Sequence, residues 1–212
     1  MFTFNTFIKL MHSPLIALFM ISISIISYAY LDQGIGVFLI NHNIQTHWFW
    51  LEYVTKFGLG FIYLFLFFIA GLWFRFYNKN PLWEIRSWFL LLSIAIPSMI
   101  DIVIKIVCSR ARPLMWIDHK QYGFYWMKLN GLYWSFPSGH ATAIMGLVVG
   151  LGFLFPGYWL RFLIPGILIM ITRILLLQHY LSDVLVAAYL TTLEIILLVY
   201  LLHKNKTFAQ IV

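Results

Sequence analysis

Charged side chains are scarce in this chain of 212 residues. Asp, Glu, Lys and Arg together make up 10% of it, against about 25% in soluble domains. Acidic groups are the scarcest, 7 against 14 Lys and Arg, which leaves a formal net charge of +7. Cysteine is nearly absent. Cys108 stands alone, so no intrachain disulfide can form and cysteine usage points to no redox compartment. Low-complexity tracts, clear internal repeats and long polar linkers are missing as well, and residues 1–212 read as a single domain. There is no Walker-type loop, and no Cys/His/carboxylate set has the spacing of a metal site.

Apolar residues fill the chain instead. It is 62% hydrophobic and 19% aromatic, with a mean hydropathy of +0.88. That composition belongs to an all-α, polytopic membrane protein whose first partner is the lipid bilayer. The basic residues are scattered among apolar runs and form no stripe, which argues against nucleic acid as a partner and for membrane-flanking anchors plus a local anion site. A spanning helix needs roughly 20 mainly apolar residues. Runs at about 14–31, 58–76, 88–108, 140–155, 159–176 and 180–202 predict a bundle of six transmembrane helices, with Pro97 kinking the third. The run 35–57 is broken by Asn41, His42, Asn43, Gln45, His47, Glu52 and Lys56 and carries Trp48, Trp50 and Tyr53, which predicts an interfacial amphipathic segment.

The first run follows Lys9 and His12, and Ser27-Tyr28-Ala29 has the look of a cleavage site, but the run is long for a signal peptide and reads as a retained anchor. Six spans put both termini on one side, with Lys9, Arg75, Lys79, Arg86, Arg161, Lys204 and Lys206. Once Lys105, Arg112 and Arg173 are set aside as site residues, Lys56, Arg110, Lys120 and Lys128 remain on the other side, so the termini are expected in the cytoplasm.

Three polar clusters interrupt this apolar background. In 135–142 the order Ser-Phe-Pro-Ser-Gly-His-Ala-Thr feeds a helix N-terminus, where free N–H groups and the helix dipole favour an anion. Ser138 adds a hydroxyl and His140 a group that titrates near neutrality; the plain alternative is an N-cap serine, a turn glycine and a surface histidine. The second cluster, Lys105 and Arg112-Pro113, places two cations seven residues apart, on one face if a single helix runs through both and Pro113 closes it. Asp101, four residues before Lys105, is spaced to hold it. The third cluster is Thr172-Arg173, His179 and Asp183. The last two meet if they share a helix, and Arg173 reaches the same place only if the chain breaks near Gln178. An acid on imidazole prepares a nucleophile; a structural hydrogen bond is the commoner role for such a pair. Glu194, about three turns after Asp183, faces the same way at greater depth and is read as structural.

The set Lys105-x6-Arg112-Pro113, Pro137-Ser138-Gly139-His140 and Arg173-x5-His179-x3-Asp183 resembles the three-part signature of the type 2 phosphatidic acid phosphatase family, over about residues 101–200, with Thr172 where the family usually has Ser. The resemblance implies a membrane lipid phosphatase without a metal cofactor. It implies His179 as nucleophile, Asp183 as its orienter and His140 as acid and then base. Lys105, Arg112, Arg173, Ser138 and the Gly139 amide would hold the phosphoryl oxygens. All three clusters fall at one membrane face under the six-span layout, opposite the termini, so the expected location is a bacterial inner membrane with the site facing the periplasm or cell exterior.

Residues 109–136 are too few for a second folded domain, so the substrate is expected to present its phosphate at headgroup depth. A prenyl diphosphate such as undecaprenyl diphosphate is favoured by the compact outer loop. Lipid A, phosphatidylglycerol phosphate and phosphatidic acid are alternatives. So is a phosphotransferase that passes the phosphate to a second lipid. A transporter, suggested by intramembrane Asp101 and Glu194, and a non-catalytic lipid-binding scaffold rank lower.

Overall fold

The computed structural model describes residues 3–203. Within them the chain is helical, with no strand beyond an isolated antiparallel bridge between Arg110 and Phe124. A short helix, α1 (Phe4–Met11), leads into α2 (Pro14–Ile26), capped by the Ser13 hydroxyl accepting from the Ile16 N–H at 3.3 Å with Pro14 in the first turn. A π-helical turn, Ser27–Leu31, joins α2 to α3 (Asp32–Asn41), so one continuous helix of 28 residues runs from Pro14 to Asn41. Two short helices follow, α4 (Ile44–His47) and α5 (Leu51–Thr55), and then α6 (Gly60–Phe76) and α7 (Pro81–Cys108). After α8 (Pro113–His119) come the helices of the second half: α9 (Gly139–Leu154), α10 (Trp159–Leu175) and α11 (Leu181–His203).

Among the described residues four helical stretches are long and apolar enough to cross a membrane: Pro14–Asn41, Pro81–Cys108, Pro156–Leu175 and Leu181–His203. A fifth is made by Leu51–Gly58 with Gly60–Phe76 if that pair, bent by 46°, is one span. α9 has 16 residues, about 24 Å at 1.5 Å per residue, which is shorter than the ~30 Å hydrocarbon core. The first span is ten residues longer than its apolar run implies, 28 against 18. The predicted 35–57 segment begins inside it and then divides between α4 and α5. Pro97 is accommodated inside an unbroken α7. Lys204 and Lys206 lie outside the described residues.

α9 is the hub. It is apolar all round, as a helix buried on every side must be, and it packs against α7, α10 and α11. The outer helices reverse the soluble pattern: Leu15, Leu18 and Phe19 of α2 and Phe61, Phe65 and Phe76 of α6 are exposed, an apolar exterior suited to lipid. The protein is therefore an integral membrane protein. At the C-terminal end of α9, α1 closes the bundle: Phe4 meets Phe153 edge-on at 5.0 Å and Phe7 stacks on Trp159 at 5.1 Å. The N-terminal end of α9 is where the polar clusters gather.

Close approach of α9 to α7 depends on a missing side chain. A Cβ on Gly146 would lie 2.5 Å from the Ser93 carbonyl oxygen, the very carbonyl that Pro97, having no N–H, leaves without its helical donor. Gly146→Leu is therefore expected to destabilise the bundle by about 1–3 kcal/mol or more, measured as thermal unfolding in detergent. Gly157→Ala, which opens onto empty space, should leave unfolding unchanged.

Candidate active site

The three polar clusters meet at the N-terminus of α9. Lys105, buried in the last turn of α7, donates to Asp101 at 2.5 Å, the (i, i+4) contact expected from spacing, and also to the Pro137 carbonyl. Asp101 in turn accepts from the Thr142 hydroxyl of α9 at 3.4 Å. A Lys ammonium has three donors, so one remains beside Gly139, whose position lies 3.5 Å from Nζ for a built Cβ.

Arg112 reaches the site by a different route from the one-helix reading. α7 stops at Cys108 because Ser109 takes the left-handed conformation (φ 47°), and the next residues are extended and pinned by the returning loop: the Ala111 N–H bonds the Gly123 carbonyl and the Arg112 N–H the Leu132 carbonyl, both at 3.0 Å. Pro113 opens α8 instead of closing a helix, since a proline fits the first helical turn. Lys105 and Arg112 thus do not share a helix face. The Arg112 Nη1 donates to the Gln178 carbonyl and to Gln178 Oε1, both at 3.2 Å, and Nε to the Gly131 carbonyl.

The chain does break between Arg173 and His179. Arg173 lies in the last turn of α10, and His179 precedes the first residue of α11 by two positions. His179 Nδ1 donates to the Ser135 carbonyl at 2.6 Å; Asp183 Oδ2 lies farther off, at 3.8 Å. A carbonyl can only accept, so Nδ1 carries the proton and Nε2 the lone pair. Burial pushes the His179 pKa down to about 4; Asp183 pulls it up, and Arg112 and Arg173 add to the depression. The imidazole is neutral at pH 7.

Asp183 is fully buried and has closer partners than His179. Its carboxylate accepts from Arg110 Nη1 at 2.5 Å, from the Ser135 hydroxyl at 2.6 Å and from the Tyr180 N–H at 2.9 Å. Arg110, equally buried, extends its other nitrogen to Asp32 at 2.8 Å. Asp32 also accepts from the Ser27 hydroxyl at 2.8 Å and from the N–H and hydroxyl of Ser182. Tyr28, Tyr122, Phe124 and Tyr180 surround the guanidinium, with Tyr180 nearest at 4.3 Å. Burial works against the Arg110 charge, but the two carboxylates outweigh it and raise its pKa.

His140 stands in the first turn of α9 with its ring on the backbone of Gly58, where a Cβ would come within 2.6 Å of it. Ser138 occupies the N-cap position, yet its hydroxyl makes no capping bond and is buried without a partner. The capping alternative therefore does not account for it. Arg173 donates through Nη1 to Thr55 at 2.8 Å, and its Nε is buried without a partner. An open pocket of about 450 Å³ reaches His140 and Arg173 and is lined also by Glu52, Thr55, Lys56, Leu114 and Gln178. Among the described residues no three His, Cys, Asp or Glu side chains gather as a metal-holding group. Glu194 is half-buried on α11 and forms no ion pair among the described residues.

Asp32, Arg110, Ser135, Thr55 and Gly58 are the site's support that spacing did not reveal. Asp32 carries one signal, an acid at the end of a long apolar run; Arg110 carries another, a third cation within eight residues of Lys105.

Cations, two histidines and unpartnered donors thus gather at one end of a membrane helix bundle, and comparison with known proteins gives the family. The model of the PAP2 superfamily matches residues 86–207, and the chain belongs to that family. It is similar to proteins named lipid A 1-phosphatase in Rhizobium johnstonii and Rhizobium etli, in each case 30% identical over 101 residues, which is 46% of this chain and 41% and 44% of those proteins. The aligned stretch thus spans less than half the length of the curated relatives. No solved structure matches the chain.

Two outcomes test the geometry. Arg110→Met leaves two buried carboxylates without their cation and should cost about 3–5 kcal/mol of stability; Asp32→Asn leaves the Arg110–Asp183 pair intact and should cost clearly less, both read by unfolding in detergent. In ¹⁵N-histidine spectra, the signal missing from His179→Ala should stay that of a neutral ring from pH 8 to pH 5 and protonate only as the pH falls through about 4. An ordinary histidine titrates near 6.5.

Proposed function

We propose that the protein is a membrane lipid phosphatase that works through a phosphohistidine, with a lipid A-type 1-phosphate as the leading substrate. One observation carries the reading: donors without partners converge where a neutral histidine is held by one nitrogen. Ser138 Oγ and Arg173 Nε are buried without partners, the third Lys105 proton is left beside Gly139 at the start of α9, and the open pocket reaches Arg173 and His140.

In this mechanism the phosphate oxygens occupy those donors. His179 Nε2 attacks phosphorus, the bond from phosphorus to the lipid oxygen breaks, and His140 gives that oxygen its proton. Water then attacks the phosphohistidine, His140 takes the proton back, and the P–N bond breaks to release inorganic phosphate and restore His179. Asp183 acts on His179 at longer range than the Ser135 carbonyl, and its tighter bonds to Ser135 and Arg110 set the position of that carbonyl. Lys105, Arg112 and Arg173 supply the positive charge that metal ions supply in other phosphoryl-transfer sites.

The whole chain acts as one domain in this reading, with α9 as a short, protein-surrounded sixth pass and α4 and α5 resting at the interface. Lys9 on α1, Arg86 against Phe155, and Arg161 lie at the end of the bundle away from the site. By the positive-inside rule that end faces the cytoplasm in this reading, and the site then faces the periplasm if the membrane is a bacterial inner membrane, as the organisms of the relatives suggest. The names of the relatives favour lipid A over the prenyl diphosphate that the loop length alone favoured. Undecaprenyl diphosphate stays as a second reading because Lys56 in the pocket lining offers a further cation, although Glu52 lines the same pocket.

The test is phosphate release, with EDTA present, from lipid A 1-phosphate, undecaprenyl diphosphate, phosphatidylglycerol phosphate and a soluble phosphomonoester. A lipid should be the best substrate, and His179→Ala should lower kcat/KM by about 10³-fold or more. A soluble ester as best substrate would sink the interfacial reading. Phosphorylated lipid in place of free phosphate would turn the assignment to a phosphotransferase.

A further inference from the structure

The pocket holds more than a phosphate. Five heavy atoms displace at most about 150 Å³ at ~30 Å³ per water-sized atom, and the pocket offers about 450 Å³. Its lining is divided. Buried Arg173 and half-buried His140 form the inner part; Glu52 and Lys56, one helical turn apart and both exposed, stand at the mouth. Most of the polar lining is already engaged: Thr55 accepts from Arg173, and the Lys56 ammonium lies over the Tyr53 ring at 5.1 Å. Two groups are not. Gln178 accepts from Arg112 through its Oε1 at 3.2 Å, which fixes the amide and leaves its NH₂ without a partner among the described residues. The Glu52 carboxylate has neither an ion pair nor a hydrogen bond among them.

A carboxylate at the entrance of an anion site is unfavourable to the anion. It gains a purpose if the group attached to the phosphate is uncharged and rich in donors. A carboxylate accepts only, and an amide NH₂ donates only; together they match a sugar ring, with hydroxyl or amide N–H donors on one side and oxygen acceptors on the other. A prenyl chain or a diacylglycerol offers Glu52 no donor, and a second phosphate there would meet like charge.

We propose that the outer part of the pocket is a sugar subsite, in which Glu52 accepts from the sugar that bears the scissile phosphate and the Gln178 amide donates to it. Both residues then set specificity for phosphorylated glycolipids and take no part in the chemistry. The inference rests on the reading of this pocket as the phosphatase site.

The experiment compares wild type with Glu52→Gln and Glu52→Ala in detergent micelles, on lipid A 1-phosphate and on phosphatidic acid, which has no sugar. On the glycolipid, kcat/KM should fall about tenfold in both variants, mainly through KM, as expected for a lost bond to a charged group. On phosphatidic acid it should stay level or rise. Unfolding temperatures should match wild type because Glu52 is exposed and unpaired. Equal changes on the two lipids, or none on either, would overturn the subsite while leaving the phosphatase reading in place. If wild type releases no phosphate from any lipid, the reading of the pocket fails and the subsite falls with it.

Discussion

A single buried guanidinium ties the first long helix to the last. Arg110 sits between Asp32 on the first long helix and Asp183 on the last and bonds both directly. Two carboxylates and one cation in an apolar surround are costly to bury, and such a cluster is seldom the cheapest way to gain stability. Its value here lies in direction. Asp183 fixes Ser135 by its hydroxyl, the Ser135 carbonyl fixes His179 Nδ1, and Ser138 N–H reaches the Asp183 carbonyl at 3.3 Å. The candidate nucleophile and the candidate anion cradle are therefore referred to the same residue, and that residue is referred to Arg110. Aromatic rings on four sides of the guanidinium keep it where a solvated arginine would wander.

Much of the site was legible in spacing because helices and their breaks obey local rules. The Asp101–Lys105 contact follows from four residues on one helix, and the break after Arg173 follows from the need to bring two sides of a turn together. His140 lies in the first turn of its helix for the reason that a Pro-Ser-Gly run stops whatever precedes it. The family resemblance read from these residues agrees with the matched family model over 86–207. Where the reading of Arg112 and Pro113 went astray, the cause was equally local. A seven-residue spacing is compatible with two helical turns, but it is also compatible with a helix end, three extended residues and a new helix. Ser109 in the left-handed region selects the second, and no pattern of apolar residues records such a conformation.

The rest was hidden because it depends on distant pairs. Asp32 is 78 residues from Arg110, and nothing in its neighbourhood names a partner. The π turn at 27–31 hides it further: the wider turn shifts the face of everything after it, so that a helical period carried on from α2 misplaces the acid. Gly58 and Gly146 likewise look like ordinary glycines in apolar sequence, and their roles appear only when His140 and the Ser93 carbonyl are laid against them. The count of membrane passes was blurred for a related reason. α9 is short because it is wrapped by α7, α10 and α11, so it need not match the bilayer with its own length.

The division of labour in the chain follows from these facts. The matched family region supplies the cations, Ser138, both histidines and Asp183, while residues before it supply what bears on them from outside: Asp32 steadies Arg110, Thr55 steadies Arg173, Gly58 seats His140, and Glu52 and Lys56 frame the pocket mouth. A phosphoryl group looks alike in every lipid phosphate, so residues that hold it have little freedom to change. The head group beyond it differs from lipid to lipid. A helix pair bent by 46° at the pocket's edge, outside the motifs and exposed at its polar end, is where such differences can be read without disturbing the cradle beneath.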